Sequence, residues 1–170
     1  MEENIINRVT SSDMITLNLE DYLPTEECVI YDLKQNLYEE LILKEKDFRT
    51  FIKAFDWSAY KNKNVAITCS ADAIIPAWAY MLIASHLQPH AHFMMVGSLE
   101  EMEKALVKEA LSTLNLNSLT HAKVVIKGCG DKPISNFAFA EVTRLLRPYV
   151  SSLMYGEPCS TVPIYKRKKE

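Results

Sequence analysis

Val65-Ala66-Ile67-Thr68-Cys69, then an almost wholly apolar stretch over 73–87, then His92-Phe93-Met94-Met95-Val96 closed by Gly97, reads as strand, helix, strand. The first run is short and β-branched and follows the turn-like Lys61-Asn62-Lys63-Asn64. The apolar stretch is long enough for a helix, with Asp72 placed to cap it, Pro76 in its first turn and Pro89 beyond its end. Ser98 and Glu101 have capping-box spacing, and Leu99, Met102, Leu106 and Ala110 carry the next helix. Lys123-Val124-Val125-Ile126-Lys127 is a third strand, 135–146 a helix stopped by Pro148, and Val150 to Tyr155 a fourth strand.

Strand starts near 65, 92, 124 and 150 suit consecutive βαβ units of about 30 residues. Nearly continuous hydrophobicity in the strands suits a parallel sheet covered on both faces. The expectation is a three-layer α/β fold with a mainly parallel sheet, the C-terminal strands in the order 2-1-3-4. In residues 1–60, Met14–Leu19 alternates like a strand, Cys28–Tyr31 reads as another, and Glu45 to Phe55 is helical with Phe48, Phe51, Ile52 and Phe55 on one face. These elements are expected to pack on the main sheet, with a separate dimer arm as the alternative. The organisation expected is one domain over 1–170, with 1–60 an N-terminal addition, 61–165 the βα core and 166–170 a basic tail. No clean internal sequence repeat stands out.

The 170 residues are 48% hydrophobic and 24% charged with only 4 glycines, which excludes disordered and collagen-like classes. No apolar run reaches the roughly 18 residues of a membrane span. Met1-Glu2-Glu3-Asn4 lacks the basic start of a signal peptide, so a cytoplasmic address is expected. The net charge is −3, spread as −7 over 1–60 and +4 over 61–170. Neither an overall basic charge nor a large basic face is present, so nucleic acid is not expected as a partner, and Lys166, Arg167, Lys168 and Lys169 read as a solvated tail.

Three of the four cysteines share one structural address. Cys69, Cys129 and Cys159 each fall just past an expected parallel strand, at the edge where open α/β sheets bind ligands. In the order 2-1-3-4 the three strands that bear them would be neighbours. Three convergent thiolates suit Zn²⁺ or an iron–sulfur cluster with one iron left open. Cys28, inside an apolar run, reads as core. Asp72, Asp131 and Glu157 lie on the same loops and are the candidates for a further ligand or for acid/base work. His86, His90, His92 and His121 all fall at the opposite, amino ends of the strands. Gly128-Cys129-Gly130 lacks the third glycine of a dinucleotide fingerprint, and neither a P-loop nor a Gly-x-Ser-x-Gly elbow is present.

Leu19-Glu-Asp-Tyr22, Leu43-Lys-Glu-Lys-Asp-Phe-Arg49, Thr68-Cys-Ser-Ala-Asp-Ala73, Val125-Ile-Lys-Gly-Cys129 and Gly156-Glu-Pro-Cys-Ser-Thr-Val-Pro163 resemble the bacterial family catalogued as domain of unknown function 2480. The resemblance covers nearly the whole chain and implies no catalytic residues. It implies a genomic setting near Suf-type iron–sulfur assembly, which favours cluster or sulfur handling.

The function expected is therefore a metal- or iron–sulfur-binding accessory protein acting in cluster assembly, transfer or repair, with iron–sulfur assembly proteins as partners and a homo-oligomer open. Two rivals stand beside it. One is a zinc- or thiol-dependent enzyme acting on a small substrate at the same three-cysteine pocket. The other is an interaction module in which the cysteines are structural.

Overall fold

The computed structural model describes residues 14–128, 133–157 and 160–168. Seven strands and four α-helices are formed among them: β1 (Met14–Asn18), β2 (Cys28–Asp32), α1 (Glu45–Ala54), β3 (Asn64–Thr68), α2 (Ala77–Leu87), β4 (Phe93–Val96), α3 (Leu99–Ser112), β5 (Lys123–Lys127), α4 (Asn136–Leu146), β6 (Ser152–Glu157) and β7 (Ser160–Lys166). The fold is α/β and its strands pair mostly in parallel.

The strands form two sheets, in the orders β2-β3-β4 and β1-β5-β6-β7. This corrects the single order 2-1-3-4. Two of its three adjacencies hold, since β3 pairs with β4 and β5 with β6. The third fails because the edges of β3 and β5 that would have met are already occupied. Strand β2 pairs with β3 from Cys28↔Asn64 to Asp32↔Thr68, and β1 pairs with β5 from Met14↔Lys123 to Asn18↔Lys127. A backbone ladder has two sides, and each central strand has used both.

The chain accordingly forms two compact units, Thr25–Glu103 and Met1–Pro24 with Lys104–Glu170. They are two copies of one plan. A shift of 59 positions carries β3 onto β5 and α2 onto α4 end to end, and carries the 3-10 turn Trp57–Tyr60 onto Leu116–Leu119. It also carries the left-handed residue Asn62 (φ 58°) onto His121 (φ 61°). The hydrogen bonds shift with the elements. Asn62 N–H donates to His90 O and His121 N–H to Tyr149 O, while His92 N–H donates to Lys63 O and Ser151 N–H to Ala122 O. Because β2 and β1 pair with matching residues of β3 and β5, a shift of 14 relates them, and Leu33 matches Leu19, both fully buried.

The cores correspond residue by residue. In the first repeat Tyr31, Phe48, Ile52, Val65, Ile67, Ala79, Ile83 and Leu87 are buried together; in the second, Leu17, Val107, Leu111, Val124, Ile126, Ala138, Val142 and Leu146 take their places. The sequence trace is a set of spaced identities: Val65/Val124, Ile67/Ile126, Ala79/Ala138, Leu87/Leu146, Pro89/Pro148 and Gly97/Gly156. Identities spread this thinly emerge only once strand and helix registers are known.

Local chemistry explains the boundaries. Helix α1 has Glu45 and Asp47 in its first turn and Lys53 in its last, and buries Phe48 and Ile52 on one face. The Ser98–Glu101 capping box is present: Glu101 N–H donates to Ser98 Oγ at 3.2 Å, and Ser98 N–H to Glu101 Oε2 at 2.8 Å. Helix α2 starts later than expected, at Ala77 with Pro76 as its N-cap, because a residue before proline is held out of the helical region. Asp72 therefore caps nothing there. Strand β7 lies outside the four C-terminal strands that the hydrophobic pattern predicts. It runs antiparallel to β6 across Gly156, whose φ of +120° and 2.6 Å clearance from Ser160 O admit no side chain. Lys166 ends β7, Arg167 N–H donates to Ser151 O at 2.8 Å, and the Arg167 guanidinium donates to Pro148 O. Among the described residues no helix is long and apolar enough to cross a membrane.

Candidate functional site

In the second repeat the carboxyl ends of β5 and β6 are neighbours. Their last residues, Lys127 and Glu157, form an ion pair with Nζ and Oε1 3.1 Å apart. Gly128 follows β5 beneath the Phe139 ring, where a Cβ would lie 2.5 Å from Cζ, so any side chain there would displace the ring. The Phe139 ring meets Tyr155 edge to face at 5.5 Å, fixing α4 over the same strand ends. Cys129 is two residues along the chain from Lys127, and Cys159 two residues from Glu157. Cys129, Asp131 and Cys159 lie outside the described residues.

The matching edge of the first repeat carries Cys69, directly after β3. It is half-buried against the apolar core, and its thiol donates to Ala71 O at 3.6 Å. Beside it Asp32 closes the end of β2. Its carboxylate accepts Lys34 N–H at 2.9 Å, Ser70 N–H at 3.0 Å and the Ser70 hydroxyl at 2.5 Å. Partial burial of Asp32 opposes ionisation, but these hydrogen bonds, that of the Ser70 hydroxyl foremost, outweigh it and hold the carboxyl below its usual range. Lys34 pairs with Glu40 at 2.9 Å. Asp72 is exposed and Ser70 is spoken for by Asp32.

A carboxyl group whose folded value lies below its unfolded one contributes stability above the unfolded value and loses it as pH falls through the folded one. Wild-type stability should therefore decline as pH drops below the ordinary aspartate range, and Asp32→Asn should remove that component of the acid limb. Urea melts of both proteins between neutral pH and strongly acidic pH check this; identical acid limbs would show that the Asp32–Ser70 clamp does not hold β2 to β3.

Cys28 is exposed rather than buried, a correction that follows from its place at the start of the edge strand β2. It pairs with Asn64 at the amino end of β3, whereas Cys69 follows the carboxyl end. Five strand residues separate the two ends by about 16 Å, so Cys28 and Cys69 belong to no common ligand shell. The histidines lie where expected. His86 stacks on Trp57 at 5.5 Å, His92 Nε2 is 3.9 Å from Glu26 Oε2, and the His121 ring is 3.5 Å from Arg167. Among the described residues no three histidine, cysteine or acidic side chains come together as a metal site.

A family model described as a protein of unknown function, DUF2480, matches residues 3–167. The chain belongs to that family. No curated protein and no solved structure matches it.

Proposed function

We propose that this member of the DUF2480 family is a metal- or iron–sulfur-binding accessory protein whose thiolates Cys129 and Cys159 serve cluster assembly, transfer or repair. The observation that supports it best is that β5 and β6 pair side by side up to Ile126↔Tyr155 and their last residues, Lys127 and Glu157, form an ion pair, so the strand ends that precede both cysteines in the chain adjoin. The internal repeat adds a second argument. The position matching Cys129, between corresponding strands and helices, is Ser70, so the first repeat folds without cysteine at that place. The Cys129 thiol is therefore an addition to the shared plan, which favours a chemical use for it. Two thiolates from one edge make an incomplete shell, which suits a protein that passes its cargo to a recipient supplying the remaining ligands. Glu157 lies two residues before Cys159 and is, beside Asp72 and Asp131, a candidate acid/base group for the zinc-enzyme alternative.

Anaerobic reconstitution with iron and sulfide separates the alternatives. A cluster protein turns brown, with visible absorption that zinc does not give. Tight zinc without colour would favour the zinc enzyme, and binding of neither would leave the cysteines structural. Cys69→Ser in the same experiment reads whether a third thiolate joins the pair.

A further inference from the structure

The first repeat fills one corner with aromatic rings. Tyr31 stacks on Trp57 at 5.5 Å and meets Tyr60 at 6.1 Å and Phe55 at 6.3 Å, while Phe55 and Trp57 lie 4.9 Å apart. The Tyr31 hydroxyl donates to Asn36 Oδ1 at 2.8 Å. By the correspondence of the repeats, Tyr31, Phe55, Trp57 and Tyr60 become Leu17, Leu114, Leu116 and Leu119 in the second copy, and Asn36 becomes Tyr22. Four rings have given way to four leucines. At that place the second repeat has a half-open pocket of about 130 Å³, whose lining includes Leu17, Leu114 and Leu119 and the polar Asn18, Asp21 and Tyr22.

Protein interiors are normally filled to crystal-like density, and a leucine-lined space of about 150 Å³ accepts a benzene-sized guest. We propose that this cavity is a binding site for a small phenol-class molecule: its ring rests on the three leucines, where the other repeat keeps its own rings, and its hydroxyl donates to Asp21. Asn18 Nδ2 already donates to Asp21 Oδ1 at 3.0 Å, which orients the carboxylate and leaves its second oxygen to accept. No hydrogen bond to the Tyr22 hydroxyl is present among the described residues, and that group completes the polar end. The same carboxylate discriminates, since a ring bearing an acid group would meet like charge at short range. The site shares no residue with the proposed metal edge, so either proposal can fail without the other.

The test is titration of the full chain with phenol, followed by leucine and tyrosine resonances. Phenol should shift signals of Leu17, Leu114, Leu119 and Tyr22 saturably, and benzoate should not. Leu114→Phe and Leu119→Tyr, each restoring a ring found in the other repeat, should weaken phenol binding at least about tenfold while the protein stays folded. Asp21→Asn should weaken phenol several-fold and leave benzene unchanged, which keeps the test decisive if the ring variants fold poorly. Absence of a saturable shift, undiminished binding in the ring variants, or equal losses for phenol and benzene in Asp21→Asn would overturn the proposal.

Discussion

Tyr31→Ala should destabilise the protein by about 3–5 kcal/mol, the range for removing a buried aromatic side chain. Tyr31 is fully buried and touches the rings of Phe55, Trp57 and Tyr60, so its removal leaves a void bounded by rigid planes that collapse poorly. Its hydroxyl, pushed well above the usual tyrosine range chiefly by burial, is satisfied by Asn36. Tyr31→Phe should therefore cost only about 1 kcal/mol, the net worth of one hydrogen bond. The matching substitution in the other repeat, Leu17→Ala, should fall nearer the lower end of the leucine range, about 2–3 kcal/mol, because Leu17 already borders a cavity and forfeits fewer contacts. Denaturant unfolding of the three variants checks the order; Leu17→Ala costing as much as Tyr31→Ala would deny the difference in packing between the two copies.

The elements were legible in the sequence where local chemistry decides them. Val65-Ala66-Ile67 and Val124-Val125-Ile126 are continuously buried central strands, the Ser98–Glu101 box forms, and α1 buries the face read from Phe48 and Ile52. Pairing is not local. Whether the free side of β3 is taken by β5 or by β2 depends on which strand docks first and best, and nothing in Val65–Thr68 encodes it. The repeat is faint in the sequence for a related reason: the second copy takes its edge strand from upstream of the first, and its aromatic positions have become leucines. The exposure of Cys28 is not legible either, because an apolar neighbourhood says nothing of an edge position at a strand's first residue. Of the candidate site, Cys69 follows β3, and the strand ends that precede Cys129 and Cys159 in the chain, Lys127 and Glu157, adjoin; those two cysteines lie outside the described residues.

Cys129→Ser and Cys159→Ser should each abolish metal retention, an effect larger than any other single change at this edge. A hydroxyl is a far poorer ligand than thiolate for zinc or for cluster iron, and a shell with two protein thiolates keeps little after losing one. Cys28→Ser should change nothing, since Cys28 stands at the far end of its strand pair. Glu157→Gln, which breaks the ion pair to Lys127, should weaken retention without abolishing it, because the carboxylate and its partner tie the two loop origins together. Loss of metal in Cys28→Ser equal to that in Cys129→Ser would mean general instability rather than ligation.

The most direct measurement is the content of iron, zinc and acid-labile sulfide per chain in protein purified without oxygen, for wild type and for the Cys129→Ser and Cys159→Ser variants. The account predicts metal in near-stoichiometric amount in wild type, accompanied by sulfide if the cargo is a cluster, and essentially none in either variant. Wild-type protein free of metal and sulfide, or variants that retain the wild-type content while remaining folded, would contradict it.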